Sequence, residues 1–550
     1  MEEQELEELG DYFDSEVDSE DSVDEMKEDE LASLPIKQHE ADENMEKVGE
    51  EVEEDTFTVT KENMKTKYPE SFSKESEEAL QAVLDEIKLP FDLAAFQIVA
   101  VNSLLNGRDL FCIVPTGSGK MAVSYLFILA LRKMPEGWMG SAPGISKSML
   151  LVAVPLKFIM IQQMTNIFCP AASLSMGGEL RDTVLQPVGE SEFTVQNVGE
   201  AARSPITEED LLNGAIPVLF VHNEALGSSK GRAFCRKAKA RGLLRGIALE
   251  EGHQGLEGHW LKFRPEMVFA VFSAVVFLVP GSPISILTAT LTAKEKEDLL
   301  RSMGRRPRPP ITIAEGPIQQ HHKVCFLRRP SSQSPLQGRY NPSTDHHDPG
   351  LLHLLRVLCL DKFVDAVKSG KPYKEFPKTM IFFKSSDHMM MINSWLYQQT
   401  GYSTCDESPY VMNHATVADT DQAFMLVRSG EILMWLTTNR MLLGGDLRDI
   451  DMILMVQPPN MPHAVMQAIG RSGRKLQSGR RRRSLTYVLF NSQDLGGNVT
   501  DMTEEVRKLC LTQGVCRKKI MREIFLGDYS VPLTEGQVNC CDVCDRMASP

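Results

Sequence analysis

The 550-residue sequence predicts an α/β protein with two parallel-sheet lobes, and three observations carry that expectation. Apolar runs of strand length recur with helix-compatible sequence between most of them, the alternation that builds a parallel sheet. The pattern breaks over residues 303–350, where GRRPRPPI and RRPSSQSPLQGRYNPSTDHHDPG are loop-like, and then resumes. The first set opens on a Gly-rich loop in Leu110 to Met121, LFCIVPTGSGKM, which follows an apolar run and leads into helix-compatible sequence.

Charge divides the chain unevenly. Residues 1–60 hold 25 Asp/Glu against 3 Lys, a balance of −22, so the rest of a chain with net charge −16 carries +6. Residues 1–65 are too acidic and too poor in apolar residues to build a core, and are expected to be a disordered tail, either solubilising or with a partner-docking or autoinhibitory role. The N-terminus lacks the basic start and apolar run of a signal peptide, so an intracellular protein is expected, with its eleven Cys as thiols or metal ligands. The uncharged stretch Met267 to Thr292 contains Pro280, Gly281 and Pro283, which fit a buried helix, a turn and a buried strand better than a membrane span.

Taken in order, Glu78–Leu89 and Phe91–Asp109 read as helices, the second closed by Gly107 and carrying Gln97 one turn after Leu93, where an amide could read an adenine edge. First-lobe strands are expected at Met149–Val154, Val218–Val221, Ile247–Leu249 and Ile284–Leu287, and second-lobe strands at Met380–Phe383, Ile432–Leu436, Met452–Val456 and Leu485–Phe490. The expected division is 75–305 for lobe 1, 306–350 for a linker, 351–500 for lobe 2 and 501–550 for a cysteine-rich subdomain.

Ligands of such sheets bind at the carboxyl ends of strands, so candidate residues are sought just after each run. In the loop Pro115, Thr116, Gly117, Ser118, Gly119 and Lys120, glycines let backbone N–H groups turn toward phosphate oxygens and the lysine reaches the β/γ-phosphates. The next residue should be Ser or Thr, a ligand for Mg²⁺, but is Met121, a thioether with little affinity for a hard cation. Glu250 and Glu251, behind the third strand, could serve Mg²⁺ and the attacking water. Thr288 and Thr290 follow the fourth. In QAIGRSGR, Arg471 and Arg474 could reach a γ-phosphate from the second lobe. The run Arg480–Arg483 suits phosphate-backbone contact, nuclear import or a solvated loop. Cys516, Cys540, Cys541 and Cys544 could close a tetrahedral Zn²⁺ site, with Cys510 as a substitute for Cys540 on spacing alone.

PTGSGK, EEGH (Glu250 to His253), KFRPEM (Lys262 to Met267), LTATLT (Leu287 to Thr292), QAIGRSGR and VCRKKIMREIF leading to CCDVC together resemble the RecQ family of superfamily-2 helicases, over residues 80–545. The cysteine spacing is similar to that of the Werner syndrome helicase, which favours Cys540. The resemblance implies two RecA-like lobes of the P-loop NTPase type and a zinc-binding subdomain, using ATP, Mg²⁺ and Zn²⁺ to move 3′ to 5′ on single-stranded and forked DNA. It further implies a nuclear place in DNA repair or recombination. By the same resemblance Gln97 reads adenine, Lys120 holds phosphates, Glu250 serves Mg²⁺, Glu251 acts on the water and Thr288 and Thr290 couple hydrolysis to strand separation. Arg471 and Arg474 act from lobe 2, and His259, Trp260 and Phe263 approximate the family's aromatic-rich loop.

Departures from the pattern are Met121, Glu250 in place of Asp, Gly252 in place of Ala, and Leu442 where Leu442 to Asp446 should begin with Gly. The chain ends soon after the cysteines, without length for a winged-helix or HRDC domain, so duplex opening is expected to be weak. The competing expectation is a degenerate helicase-like protein that binds nucleic acid or a partner without appreciable ATPase activity.

Overall fold

The computed structural model describes residues 42, 44–45, 48, 51–52, 72–87, 89, 92–115, 117–138, 144–154, 160, 163, 171–176, 191–197, 200–205, 208–222, 225–226, 228–252, 282–303, 308–314, 321–329, 348–370, 376–402, 408–413, 432–438, 450–473, 481–496, 502–526 and 540–548. A two-residue strand, β1 (Glu51–Val52), precedes the lobes.

Lobe 1 is built on nine strands: β2 (Leu110–Ile113), β3 (Met149–Val154), β4 (Ala171–Met176), β5 (Ser191–Asn197), β6 (Glu200–Pro205), β7 (Val218–His222), β8 (Leu244–Glu250), β9 (Ile284–Thr288) and β10 (Ile311–Ala314). Their spatial order is β10-β2-β9-β8-β3-β7-β4-β5-β6. Every pairing is parallel except β4 with β5 and β5 with β6. Strands β2, β3, β7 and β9 are buried along their whole length, as a parallel sheet covered on both faces requires. Alternation within a strand sends Leu110 and Cys112 to one core and Phe111 and Ile113 to the other.

Helices α1 (Lys74–Ile87), α2 (Ala95–Leu105) and α3 (Lys120–Leu131) cover the first of these faces. Helix α1 begins four residues before its sequence-based start. Helix α2 is shorter at both ends than Phe91–Asp109: Ala94 has extended φ/ψ, which leaves Leu93 outside, and Gly107 takes φ 73° just beyond the end. Helix α4 (Ala293–Ser302) starts at Thr292, whose hydroxyl accepts from the Glu295 N–H while the Glu295 side chain accepts from the Thr292 N–H.

Lobe 2 is a six-stranded, all-parallel sheet ordered β11-β17-β15-β12-β14-β13. Its strands are β11 (His322–Arg328), β12 (Thr379–Phe383), β13 (Tyr410–Asn413), β14 (Met434–Thr438), β15 (Met452–Val456) and β17 (Ser484–Phe490). A further two-residue strand, β16 (Arg481–Arg482), pairs with β1 instead. The eight strands expected from apolar runs are all present, with ends moved by up to two residues in most; β8 extends three residues earlier, to Leu244. The stretch expected as linker, 306–350, contains one strand of each sheet: β10 joins lobe 1 beside β2 and β11 forms the edge of lobe 2 beside β17. Pro- and Arg-rich flanks mask short apolar runs such as ITIA, which is why composition alone drew the boundary too wide.

Helix α5 (Pro462–Ile469) links the lobes, since its His463 Nε2 lies 2.7 Å from Glu295 Oε1 on α4. Helices α6 (Arg517–Leu526) and α7 (Asp542–Ala548) carry the C-terminal cysteines against the edge of lobe 2. There Val324 on β11 bridges to Cys541, the Asp542 carboxylate accepts from the Phe326 N–H, and Arg517 pairs with Asp542 at 3.0 Å. The subdomain therefore covers an otherwise open strand edge.

Of the uncharged stretch Met267 to Thr292, residues 282–292 are described, and Ile284–Thr288 form β9, a sheet strand as expected. Among the described residues no helix is long and apolar enough to cross a membrane.

Candidate nucleotide site and cysteine cluster

Three neighbouring strands bring the lobe-1 candidates together. Strand β2 leads into the phosphate loop, β9 lies beside it and delivers Thr288, and β8 lies beside β9 and delivers Glu250 and Glu251. All three are parallel, so these residues gather at one end of the sheet, the carboxyl end.

Within the loop Gly117 and Gly119 have φ of 80° and 82°, a left-handed region that other residues enter only with strain. A side chain at Gly119 would also meet Gln97, since a Cβ there would stand 2.8 Å from its amide nitrogen. Gln97 is buried and its amide is engaged at both ends: Nε2 donates to the Gly119 carbonyl at 2.8 Å and Oε1 accepts from the Ala94 N–H at 2.8 Å. It thus ties the start of α2 to the phosphate loop. Lys120 Nζ donates to the carbonyls of Val114 and Pro115 at 3.0 and 3.1 Å, folded over the loop it would serve. Met121, half-buried, packs against the apolar core under α3. No hydroxyl stands in its place. Thr116 lies outside the described residues, whereas Pro115 and Ser118 close the turn, the Ser118 hydroxyl donating to the Pro115 carbonyl at 2.7 Å.

Glu250 as a residue is half-buried, yet its carboxylate lies deep. Oε1 accepts from Gln163 Nε2 at 2.7 Å, and Oε2 is screened from solvent with no hydrogen-bond partner among the described residues. Burial raises its pKa, adjacent Glu251 raises it further and Lys120 partly opposes them, leaving it at about 8. An unpartnered buried carboxylate oxygen close to a lysine fits a divalent cation at this position. Met121 does not, so the donor set fits Mg²⁺ through Glu250 alone. Glu251 has φ 50°, a strained value for a residue with a side chain, and its Oε2 accepts from the Thr288 hydroxyl at 3.4 Å. The same hydroxyl accepts from the Thr290 N–H at 3.1 Å, so both threonines sit directly behind the second glutamate. Gly252 also has a local reason: a Cβ there would lie 2.7 Å from Cγ2 of Ile286 on β9.

Sequence reading missed Gln163 and Tyr125. The Tyr125 hydroxyl donates to Gln163 Oε1 at 2.8 Å, which orients the amide whose other end holds Glu250. A glutamine amid apolar sequence carries no motif, so nothing in the spacing singled it out.

From lobe 2, Arg471 is buried on the turn after α5, the helix that reaches α4 through His463. The turn is held by its neighbours: Ser472 bridges to Ile450, the Gly473 N–H donates to the Ile450 carbonyl at 3.2 Å, and His321 Nε2 contacts the Gly473 carbonyl at 2.9 Å. Arg474, Arg480, Leu442 to Asp446 and the loop bearing His253, His259, Trp260 and Phe263 lie outside the described residues.

Cys516, Cys540, Cys541 and Cys544 form a compact group, all four sulfurs lying within 4.8 Å of one another. Cys516 Sγ is 3.5 Å from Cys540 Sγ and 3.9 Å from Cys541 Sγ. Tetrahedral Zn²⁺ with bonds of ~2.3 Å separates its ligands by about 3.8 Å, so the donor set fits that ion. Hydrogen bonds from Cys540 and Cys541 push the Cys516 thiol well below its ordinary range, readying it to ligate as thiolate. Cys510 is not part of the group; it is buried in the lobe-2 core.

Comparisons with known proteins agree with these motifs. Residues 360–475 match the family model described as Helicase conserved C-terminal domain. The chain is 29% identical over 229 residues to the ATP-dependent DNA helicase hus2/rqh1 of Schizosaccharomyces pombe, covering 40% of this chain and 15% of that protein. It is 24% identical over 269 residues to the ATP-dependent helicase SGS1 of Saccharomyces cerevisiae, covering 46% of this chain and 16% of that one. By these matches the chain is similar to RecQ-type superfamily-2 helicases. It spans about one sixth of the length of these relatives. Among solved structures, the Mycobacterium smegmatis helicase Lhr bound to ssDNA and AMP-PNP superposes with a TM-score of 0.49 at 14% identity, covering 84% of this chain and 56% of that one.

Proposed function

We propose that this RecQ-type chain is an ATP-dependent DNA helicase or translocase that moves 3′ to 5′ on single-stranded DNA and opens forked duplexes, slowly. The observation that supports it most is the meeting of the phosphate loop, Glu250, Glu251 and Thr288 at the carboxyl ends of β2, β8 and β9. When bound, Mg²⁺ would neutralise phosphate charge, and Glu250 is the residue here that would hold it. Lys120 exchanges the carbonyls of Val114 and Pro115 for phosphate oxygens. Glu251, braced by Thr288, orients the attacking water and takes its proton. Arg471 and Arg474 offer guanidinium charge from lobe 2 when the lobes close. Gln97 reads adenine once its amide leaves the Gly119 carbonyl. The four cysteines hold one Zn²⁺, which fixes α6 and α7 on the edge of lobe 2, and the chain acts in the nucleus.

One observation favours a second reading, a nucleic-acid-binding protein without appreciable turnover: half-buried Met121 packs against the core where a metal-ligating hydroxyl should stand. ATP hydrolysis by the full chain with Mg²⁺, with and without single-stranded DNA, separates the two. The expected result is slow, DNA-stimulated turnover that Met121→Thr raises about tenfold, the scale on which one metal-orienting group acts. Turnover equal to that of Lys120→Ala would leave the binding protein. Elemental analysis should find one zinc per chain, and Cys544→Ser should lose it.

A further inference from the structure

Part of the acidic N-terminal region is seated on lobe 2, through contacts that are specific. Met45 is 6% exposed and lies in the lobe-2 core with Cys325, Leu327 and Tyr487. Asp42 pairs with Lys362 at 2.9 Å. Asn44 donates to the Tyr487 hydroxyl at 3.2 Å and accepts from Lys323 Nζ at 2.6 Å. Lys323 also pairs with Asp545 on α7, so one lysine joins the N-terminal segment, lobe 2 and the cysteine subdomain. A few residues on, β1 runs antiparallel to β16, with Glu51 opposite Arg482 and Val52 opposite Arg481.

We infer that the described residues Asp42, Asn44, Met45, Glu51 and Val52 belong to an intramolecular strap, and that the basic strand β16, Arg481–Arg482, is a docking surface for this acidic segment of the chain, which competes there with nucleic-acid phosphate. The sequence around β1 is Glu50-Glu51-Val52-Glu53-Glu54-Asp55, and that around β16 is Arg480-Arg481-Arg482-Arg483. Opposed Cα atoms in an antiparallel ladder are about 5 Å apart, inside the screening length of ~10 Å at 0.1 M salt, so Glu51 opposite Arg482 lowers the potential at this strand. Met45 supplies the anchor. Its burial gives a position and register that charge attraction alone would not. Arg482 is also held from below by Asp451 at 3.0 Å, which keeps the strand in place whether or not the strap is seated. The competition arm rests on the DNA-binding reading proposed above; the docking itself does not.

The test uses the full-length protein and Met45→Asp, with Met26→Asp as a variant carrying the same added charge in the same acidic region. Amide exchange over residues 44–52 reports seating, and fluorescence anisotropy of a labelled single-stranded oligonucleotide at about 50 mM salt reports the arginine run. Met45→Asp is expected to accelerate exchange over 44–52 and to tighten oligonucleotide binding on the order of tenfold, the scale of two added phosphate contacts at low salt. Met26→Asp should do neither. Unchanged exchange in Met45→Asp overturns the strap. Faster exchange with equal oligonucleotide affinity overturns the masking while leaving the DNA-binding reading in place. No oligonucleotide binding by any of the proteins, released strap included, overturns that reading and the masking together.

Discussion

Arg329 in lobe 2 and Glu250 in lobe 1 both place an ionisable group out of water at the end of a parallel strand, and they are treated in opposite ways. Arg329 follows β11 and is 4% exposed. Its Nε and Nη2 donate to the two oxygens of Asp494 at 3.2 and 3.1 Å, and Nη1 donates to Asp348 at 3.0 Å. The acceptors are committed in turn. Asp494 also accepts from Gln457 and from the Asn491 N–H, while Asp348 caps the helix at Leu351. Glu250 has one oxygen bonded to Gln163 and one with no hydrogen-bond partner among the described residues. A buried polar group left unpaired is costly. The contrast separates a network that is complete among the described residues from a carboxylate oxygen that has no partner among them.

The largest test of that contrast is Arg329→Met. A side chain of similar length without charge leaves Asp348 and Asp494 buried beside each other with no counter-charge, a situation that costs about 3–5 kcal/mol. Urea unfolding of the variant should show a loss of this size. A loss under about 1 kcal/mol would mean that the network is no more integral than a surface pair, and the contrast with Glu250 would fail.

How far the sequence reveals the molecule depends on whether a signal is local. Strands such as Met149–Val154 and Met452–Val456 were readable to the residue, because a buried parallel strand is a short apolar run with polar flanks. The phosphate loop was readable because its glycines must sit where φ is positive, and Gly117 and Gly119 do. Cys540 was not readable from spacing alone. Spacing left Cys510 open, the resemblance to the Werner syndrome helicase favoured Cys540, and the fold puts the Cys540 sulfur in the cluster and Cys510 in the core. Gln163 and Tyr125 were not readable, since their role exists only through contacts 87 and 38 residues away along the chain. The same holds for Met45, an apolar residue in an acidic region whose partner core is assembled from lobe 2. Composition averages such a residue away. Gly252 shows the reverse: its departure from the family pattern has a local cause that the sequence does not show, since Ile286 occupies the space a Cβ would need.

A smaller effect of opposite sign is expected at Glu250 itself. Its folded-state pKa is raised to about 8 from an ordinary 4.5, chiefly by burial and next by Glu251. The unfolded chain therefore releases this proton at lower pH than the folded chain does. Between those two values the folded state binds the extra proton, so stability falls as pH rises through the window, and below the ordinary pKa the group contributes no penalty. Glu250→Gln keeps the shape and an oxygen for Gln163 while removing the ionisation. Without nucleotide or metal it should be more stable than the parent at pH 7, by about 1–3 kcal/mol after allowing for partial exposure of the residue. The gain should grow toward pH 8 and vanish near pH 4. Thermal or urea unfolding across this range reads it directly. A variant that is less stable than the parent at pH 7, or a difference that does not change with pH, would place Glu250 with Arg329 among groups the fold itself requires. A stabilised variant that has lost turnover would instead identify the unpaired oxygen as held in reserve for a ligand, at the expense of the empty protein's stability.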